Sequence, residues 1–276
     1  MNTTLAAAST ATPAPRLRGK VTQPRVINSE WIKLWSLRST RWTLLVAVVS
    51  MVFGIVIAAI DMSRWATISA HDKATFSAID TSLAGYHFAQ LAIGVLGVLV
   101  VTGEYTTGMI RSSFMAVPKR LPVFWAKLLV FASVTFVLML VSAFLAFFIS
   151  QAVLTHEHVN VTIGHPHALR AVVGDALFLT ALAIFCVSLG ALIRNTAGGI
   201  AAFAGIMFAL PGINGILPTS LHNAINPYLP SNAGAAILTD RPSSHWPSPW
   251  GGFGVFCAYA AITLIAAVIL LKRRDT

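Results

Sequence analysis

The chain has 276 residues, of which 56% are hydrophobic and only 10% are charged. Soluble proteins carry charges on roughly 25% of their residues, so a soluble fold of this size could not cover its surface with so few. The mean hydropathy of +0.76 therefore predicts a membrane protein and makes the soluble enzyme classes poor candidates. Both cysteines lie inside apolar runs, which excludes a disulfide framework or a cysteine metal site.

The first 41 residues divide into a tail and a helix. Residues 1–24 are rich in Ala, Thr and Pro and contain no apolar h-region, so we expect a disordered cytosolic tail rather than a signal peptide. The apolar spacing in residues 25–41 predicts an amphipathic interfacial helix on the inner leaflet. The alternative is a polar lead-in to the first membrane span. The residues assigned to the helix are Trp31 and Trp35 on its apolar face, Glu30 and Lys33 on the opposite face, and Arg38 within the apolar stripe, from which its side chain would snorkel toward headgroups.

Six apolar runs follow, each close to the roughly 20 residues that cross the hydrocarbon core of a bilayer. The third is longer than a bilayer requires, so we expect it to tilt or to project beyond the membrane. An even number of spans places both termini on one side. The predicted spans are residues 42–60, 83–102, 123–153, 171–193, 197–217 and 251–271.

The positions of the basic residues predict the orientation. Fifteen of the 19 Lys and Arg residues lie in the N-terminal segment, the second and fourth connections and the C-terminal tail, and four lie on the opposite side. The positive-inside rule therefore predicts cytosolic termini in a multi-pass protein of the plasma membrane. The net charge of +10 then reflects topology, which removes most of the argument for nucleic-acid binding.

Residues 103–120 form the connection between spans two and three on the predicted cytosolic side. Ile110, Phe114 and Val117 share one face of a short helix that Pro118 ends, while Arg111 is free to face the cytosol. Such an amphipathic segment is suited to the groove of a partner protein. An ordinary loop, whose basic residues only set the topology, is an equal alternative.

Three polar residues at the predicted outer side are candidates for lining a pathway. His87 and Gln90 share one face of span two, and Asn214 follows the Pro211-Gly212 pair that predicts a kink in span five. The alternative for the first two is a position at headgroup depth. The small residues of span five suit packing either against a second copy or within one copy.

The predicted external connections carry two further features. Residues 218–250 contain a short apolar stretch among six prolines, which suits an external lid or a plain loop. A histidine cluster follows span three, but its spacing fits no closed zinc site, so a solvated loop is favoured and no metal is predicted. The cluster consists of His156, Glu157, His158, His165 and His167.

Several of these strings resemble one transporter family. Gly103-Glu104, Gly108, Ile110-Arg111 and Pro118-Lys119-Arg120 resemble the segment between spans two and three of ABC-2 type transporter permeases. Ser29–Leu34 with Arg38-Ser39-Thr40 is similar to the start of actinobacterial members. The six-span layout agrees, so the resemblance covers nearly the whole chain after about residue 25.

The resemblance implies the ABC-2 type permease fold, an all-α polytopic membrane protein of six transmembrane helices with an amphipathic N-terminal helix. It implies a permease that dimerises, most simply as a homodimer, and pairs with two copies of a separate ABC ATPase subunit that binds ATP and Mg. The cargo of such an exporter would be an amphipathic or drug-like substrate, moved outward between two permease copies. The residues carried over as the ATPase-coupling region are Glu104, Met109, Arg111, Phe114, Pro118 and Arg120.

Other function classes have less support in the sequence. The chain contains no P-loop, so ATP hydrolysis is expected in another polypeptide, and no motif of an intramembrane hydrolase is present. We therefore predict no catalytic residues and no cofactor in this chain. An ion-coupled secondary transporter is a rival, but Asp175 is the only acid within a predicted span. A non-transporting membrane anchor for a partner protein is the third alternative.

Overall fold

The computed structural model describes residues 22–106, 120–240 and 247–273. These residues are 86% helical and include no strand. Six of the helices are long and apolar enough to cross a membrane, which confirms the predicted helical class and number of candidate spans. In chain order, spans one to six are Arg38–Ser63, Ala78–Thr106, Leu121–Glu157, Ala168–Ile193, Thr196–Asn214 and Pro249–Arg273. The ends facing the predicted cytosol are called inner below.

The N-terminal helix is shorter than the predicted range 25–41. It begins at Gln23 and ends at Ser36, and only residues 22–24 of the predicted tail lie among the described residues. Leu37 has an extended backbone with ψ of 118°, and this break in the helical backbone separates the N-terminal helix from span one. Arg38, which we assigned to the interfacial helix, is instead the first residue of span one.

Span two consists of two helices, and span three is a single long one. A short helix, Ala78–Leu83, precedes the main helix, Tyr86–Thr106, and the bend lies at Ala84 and Gly85. The span-three helix, Arg120–Leu154, has 35 residues, so it measures about 50 Å at about 1.5 Å per residue. That length exceeds the roughly 30 Å of a hydrocarbon core, in agreement with the excess length predicted from the sequence.

Span five contains a local irregularity. Gly205–Ala209 form a π-helical turn, in which the N–H of Leu210 donates to the carbonyl of Gly205. The turn lies directly before Leu210–Asn214, where Pro211 supplies no N–H to the helical ladder. The kink predicted at the Pro211-Gly212 pair is therefore preceded by a π-bulge, which begins at Gly205, about one and a half turns before Pro211.

Span four is the centre of the helix assembly. In its most apolar 18-residue stretch, 72% of the span is buried, and the helix packs against spans two, three and six. The corresponding 18-residue stretches of spans one, five and six are only 28%, 17% and 22% buried. Their apolar side chains therefore face lipid or another protein.

Candidate functional site

Four charged residues meet where the N-terminal helix contacts the inner ends of spans two and three. Glu30 and Lys33 lie one turn apart on the N-terminal helix, Glu104 lies in the last turn of span two, and Lys127 lies in the second turn of the span-three helix. We refer to these four residues as the ion cluster. They are separated by up to 97 positions in the sequence.

Each ammonium group in the ion cluster contacts both carboxylates. The Lys127 Nζ lies 2.7 Å from Glu30 Oε2 and 2.9 Å from Glu104 Oε1. The Lys33 Nζ lies 2.7 Å from Glu30 Oε1 and 3.2 Å from Glu104 Oε1. The charges therefore alternate around a ring in which each acid accepts hydrogen bonds from both lysines.

The ion cluster is most buried on the side of Glu30 and Lys127. Their side chains are 4% and 9% exposed, against 14% for Glu104 and 30% for Lys33. Burial lowers the pKa of Lys33, but its hydrogen bonds to Glu30 and Glu104 and the charges of both acids raise the pKa above its ordinary value. Lys33 therefore remains charged at neutral pH.

The local sequence explains why Glu30 faces the protein. Val26, Glu30 and Leu34 follow one another at four-residue intervals and are the buried residues of the N-terminal helix. This face packs against span three, where Val123 and Ala126 are buried beside it. A carboxylate placed between two apolar contacts must find a cation, and Lys127 supplies it.

The N-terminal helix also carries two exposed tryptophans, and its interfacial position stays a prediction. Trp31 is 46% exposed and Trp35 is 38% exposed, with their ring centroids 5.9 Å apart. Indole rings are favoured at the boundary between lipid and water. The face bearing Glu30 and Lys33 is not a solvated face, however, because it joins the ion cluster.

Further contacts connect the inner end of span two to span five. The Arg194 guanidinium lies 5.5 Å from the ring centroid of Tyr105, and the Thr196 hydroxyl donates to the Thr102 hydroxyl at 3.0 Å. Arg194 and Asn195 form the short connection between spans four and five, and Asn195 caps the latter through the N–H of Gly198. The inner end of span two is thus joined both to the N-terminal helix and to the start of span five.

A cavity of about 400 Å³ adjoins the ion cluster. It lies between the N-terminal helix and the inner halves of spans one, two and three. Leu34, Leu96, Leu99, Val100 and Val130 form most of its apolar wall, and all four residues of the ion cluster contribute to its lining. Its volume lies within the range of roughly 300–1,000 Å³ that is typical of ligand pockets.

Five residues besides Glu104 were predicted to contact an ATPase. Met109, Arg111, Phe114 and Pro118 lie outside the described residues. Arg120 begins the span-three helix, but only its backbone is described. Among the coupling residues predicted from the sequence, Glu104 is therefore the one whose side chain the described structure places in a site.

The three candidate pathway residues do not form one surface in the described chain. His87 is exposed, with its ring centroid 4.0 Å from that of Tyr86, whereas Gln90 is 5% exposed and faces the helix assembly. Asn214 donates to Asn226 at 3.1 Å and lies 3.1 Å from the His222 ring nitrogen. Its contact with His222 connects the helix Thr219–Ile225 to the end of span five.

Sequence analysis did not identify Glu30 and Lys127 as partners. One signal was present in each segment: Lys127 is the only charge in the predicted third span, and Glu30 interrupts an apolar series at four-residue intervals. A buried charge needs a counter-ion, so each residue separately required a partner. Their pairing depends on how the helices pack, which neither segment encodes alone.

Asp175 in span four is a second buried ionisable residue. Its side chain is fully buried, and neither carboxylate oxygen has a hydrogen-bond partner among the described residues. It lies in the outer half of the span, two turns after the start of the helix at Ala168. An unpaired acid at this depth is costly in a purely structural role.

The described residues contain no group of three or more His, Cys, Asp or Glu side chains arranged to hold a metal ion. A scan against protein-family models gives no match. A search of curated proteins also gives no significant match.

Proposed function

We propose that this chain is the membrane-spanning permease subunit of an ATP-driven exporter of the ABC-2 type. It would act as a dimer, with two copies of a separate ABC ATPase on its cytosolic side, and would move an amphipathic or drug-like substrate outward. The ion cluster is the observation that carries the proposal. It joins the N-terminal helix to Glu104, in the segment 103–120 that resembles the ATPase-coupling helix of these permeases, and to Lys127, seven residues after that segment.

The mechanism follows from the geometry of the ion cluster. A force on residues 103–120 reaches span two at Glu104, which lies within this segment, and span three at Arg120, two helical turns before Lys127. Glu30 and Lys33 tie the N-terminal helix to both residues, so the three helix ends move together or the buried charges separate. Separating the buried charges is unfavourable because each would lose its partner where water hardly reaches it, which makes joint movement the lower-energy response.

The first experiment tests whether an ABC ATPase binds this chain. The tagged chain, purified with mild detergent from its native cells, is expected to bring an ABC ATPase with it. ATP hydrolysis by that complex is then measured with a panel of amphipathic compounds. Recovery of the chain without any ATPase would favour a membrane anchor and contradict the proposal.

The second experiment tests the coupling role of Glu104. Glu104→Ala should leave the ATPase bound but lower ligand-stimulated hydrolysis and transport by roughly tenfold, equivalent to about 1.4 kcal/mol in the activation free energy. Arg111→Ala is expected to behave in the same way. Glu157→Ala, at an exposed acid that is the last residue of span three, is the matched control. Normal transport by both coupling variants would contradict the assignment.

An ion-coupled secondary transporter is the second candidate, and Asp175 is the observation that favours it. In such a carrier the buried carboxylate would bind and release the coupling ion. Uptake into proteoliposomes of the chain alone, driven by a proton or sodium gradient and abolished by Asp175→Asn, would establish this function. Transport that needs ATP and survives Asp175→Asn would exclude it.

A further inference from the structure

The cavity beside the ion cluster combines features of a ligand site. One part of its wall is apolar, formed by Leu34, Leu96, Leu99, Val100 and Val130. The other part carries the ion cluster and the hydroxyl residues Ser36, Ser39, Thr40 and Thr43. A lining that combines apolar and polar residues in this way suits a molecule with an alkyl portion and a polar head.

The cavity is accessible from the turn between the N-terminal helix and span one. Ser36, Leu37 and Ser39 line it and are exposed, with Leu37 56% exposed. The exposed Trp31 and Trp35 rings indicate that this turn lies at the inner boundary of the membrane. A molecule lying in the inner leaflet would therefore reach the cavity without crossing the bilayer.

The charge around the opening favours an anionic head. Residues 31–60 contain Lys33, Arg38 and Arg41 and no acid, so the charges at the exposed turn are basic, whereas the two acids and two lysines that line the cavity cancel one another. Lys33 is also the most exposed member of the ion cluster, at 30%, whereas the acids that line the cavity are 4% and 14% exposed. A carboxylate or phosphate at the opening would meet the ammonium group before either acid.

We infer that this cavity binds an anionic amphiphile from the inner leaflet, with its alkyl chain against Leu96, Leu99 and Val130 and its head beside Lys33. Carboxylate and phosphate heads share the relevant chemistry, so a free fatty acid and an acidic phospholipid are the two sources. The inference holds whether or not an ATPase drives this chain.

The test uses a C16 fatty acid that carries a photoreactive diazirine on its chain. The purified full chain in nanodiscs of neutral lipid is irradiated with this probe, and the labelled peptides are mapped by mass spectrometry. Label is expected in the peptides that contain Leu96–Val100 and Val130. Competition by oleate identifies a fatty-acid site, and competition by phosphatidylglycerol in the nanodisc identifies a phospholipid site. Equal competition by uncharged monoolein would overturn the inference.

Three variants separate binding in the cavity from labelling of the lipid-facing surface. Leu99→Trp fills the cavity, and Ser39→Trp blocks its opening at an exposed position where the fold is not challenged. Both should reduce the mapped label by about tenfold, equivalent to a tenfold change in dissociation constant. Leu129→Trp, on the lipid-facing side of span three where the native side chain is 54% exposed, should leave it unchanged. Label that is insensitive to both cavity variants would overturn the inference.

Discussion

Glu30 is the residue on which the ion cluster depends most, because its two carboxylate oxygens accept from different lysines. Its Oε1 is bonded to Lys33 and its Oε2 to Lys127, whereas Glu104 uses Oε1 for both. Removing either lysine leaves two acids facing one cation. The consequence should depend on burial, since an exposed position allows water to replace the lost partner.

The two lysines therefore provide a matched pair of variants. Lys127→Met should lower the free energy of unfolding by about 3–5 kcal/mol, because it leaves an uncompensated charge at a site where Glu30 is 4% exposed. Lys33→Met should lower it by about 1 kcal/mol or less, because its side chain is 30% exposed. Unfolding in detergent micelles, followed by tryptophan fluorescence, measures both values.

A double-mutant cycle distinguishes pairing from simple loss of packing. Glu30→Gln combined with Lys127→Met should destabilise the protein by less than the sum of the single changes, because the second change removes the orphaned charge. Additive losses would mean that the two side chains do not interact in the folded protein. Equal losses for Lys127→Met and Lys33→Met would contradict the burial argument.

Residues that could be recognised from a local sequence pattern were predicted, and residues whose partner lies far away in the sequence were not. Glu104 was identified from its place beside Gly103 in a family-like string, and Trp31 and Trp35 from helical spacing, all of which are local signals. The Glu30–Lys127 contact joins residues 97 positions apart, and no periodic pattern encodes it. Leu37 has no helix-breaking side chain, so the helix end at Ser36 was equally hidden.

The elements of the outer half are positioned by close backbone approach. Gly85, at the bend of span two, faces span one, and a Cβ built on it would lie 2.6 Å from the Met51 Cα and 2.5 Å from the Ser50 carbonyl oxygen. No side chain can move aside there, because both neighbouring atoms belong to the backbone. The bend in span two and the path of span one are therefore set together.

Gly85→Ala should consequently separate spans one and two. Overpacking of this kind lowers the free energy of unfolding by about 1–3 kcal/mol. Gly254→Ala in span six is the control, because a Cβ there meets nothing within 4 Å and alanine favours the helix by up to about 1 kcal/mol. Thermal unfolding in micelles compares the two, and a Gly85→Ala protein as stable as Gly254→Ala would contradict this packing.

At the scale of the whole molecule, burial divides the six spans into a centre and a periphery. Span four is enclosed by its neighbours, while spans one, five and six present mostly unburied apolar surface. Hydropathy located all six segments because each is a continuous apolar run. It did not reveal which one is central, since a buried span and a lipid-facing span have similar composition.

The orientation of the whole molecule is the premise that every proposed role shares. If the termini are cytosolic, residues 103–120 and the ion cluster face an ATPase, and the loop after span three faces outward. Single cysteines at Met109 and at Glu157, each in a variant with Cys186 and Cys257 replaced by alanine, test this premise. In intact cells, a membrane-impermeant maleimide should label Glu157→Cys and leave Met109→Cys unlabelled until the cells are opened. The reverse pattern would place the coupling segment outside the cell, where no ATPase could engage it.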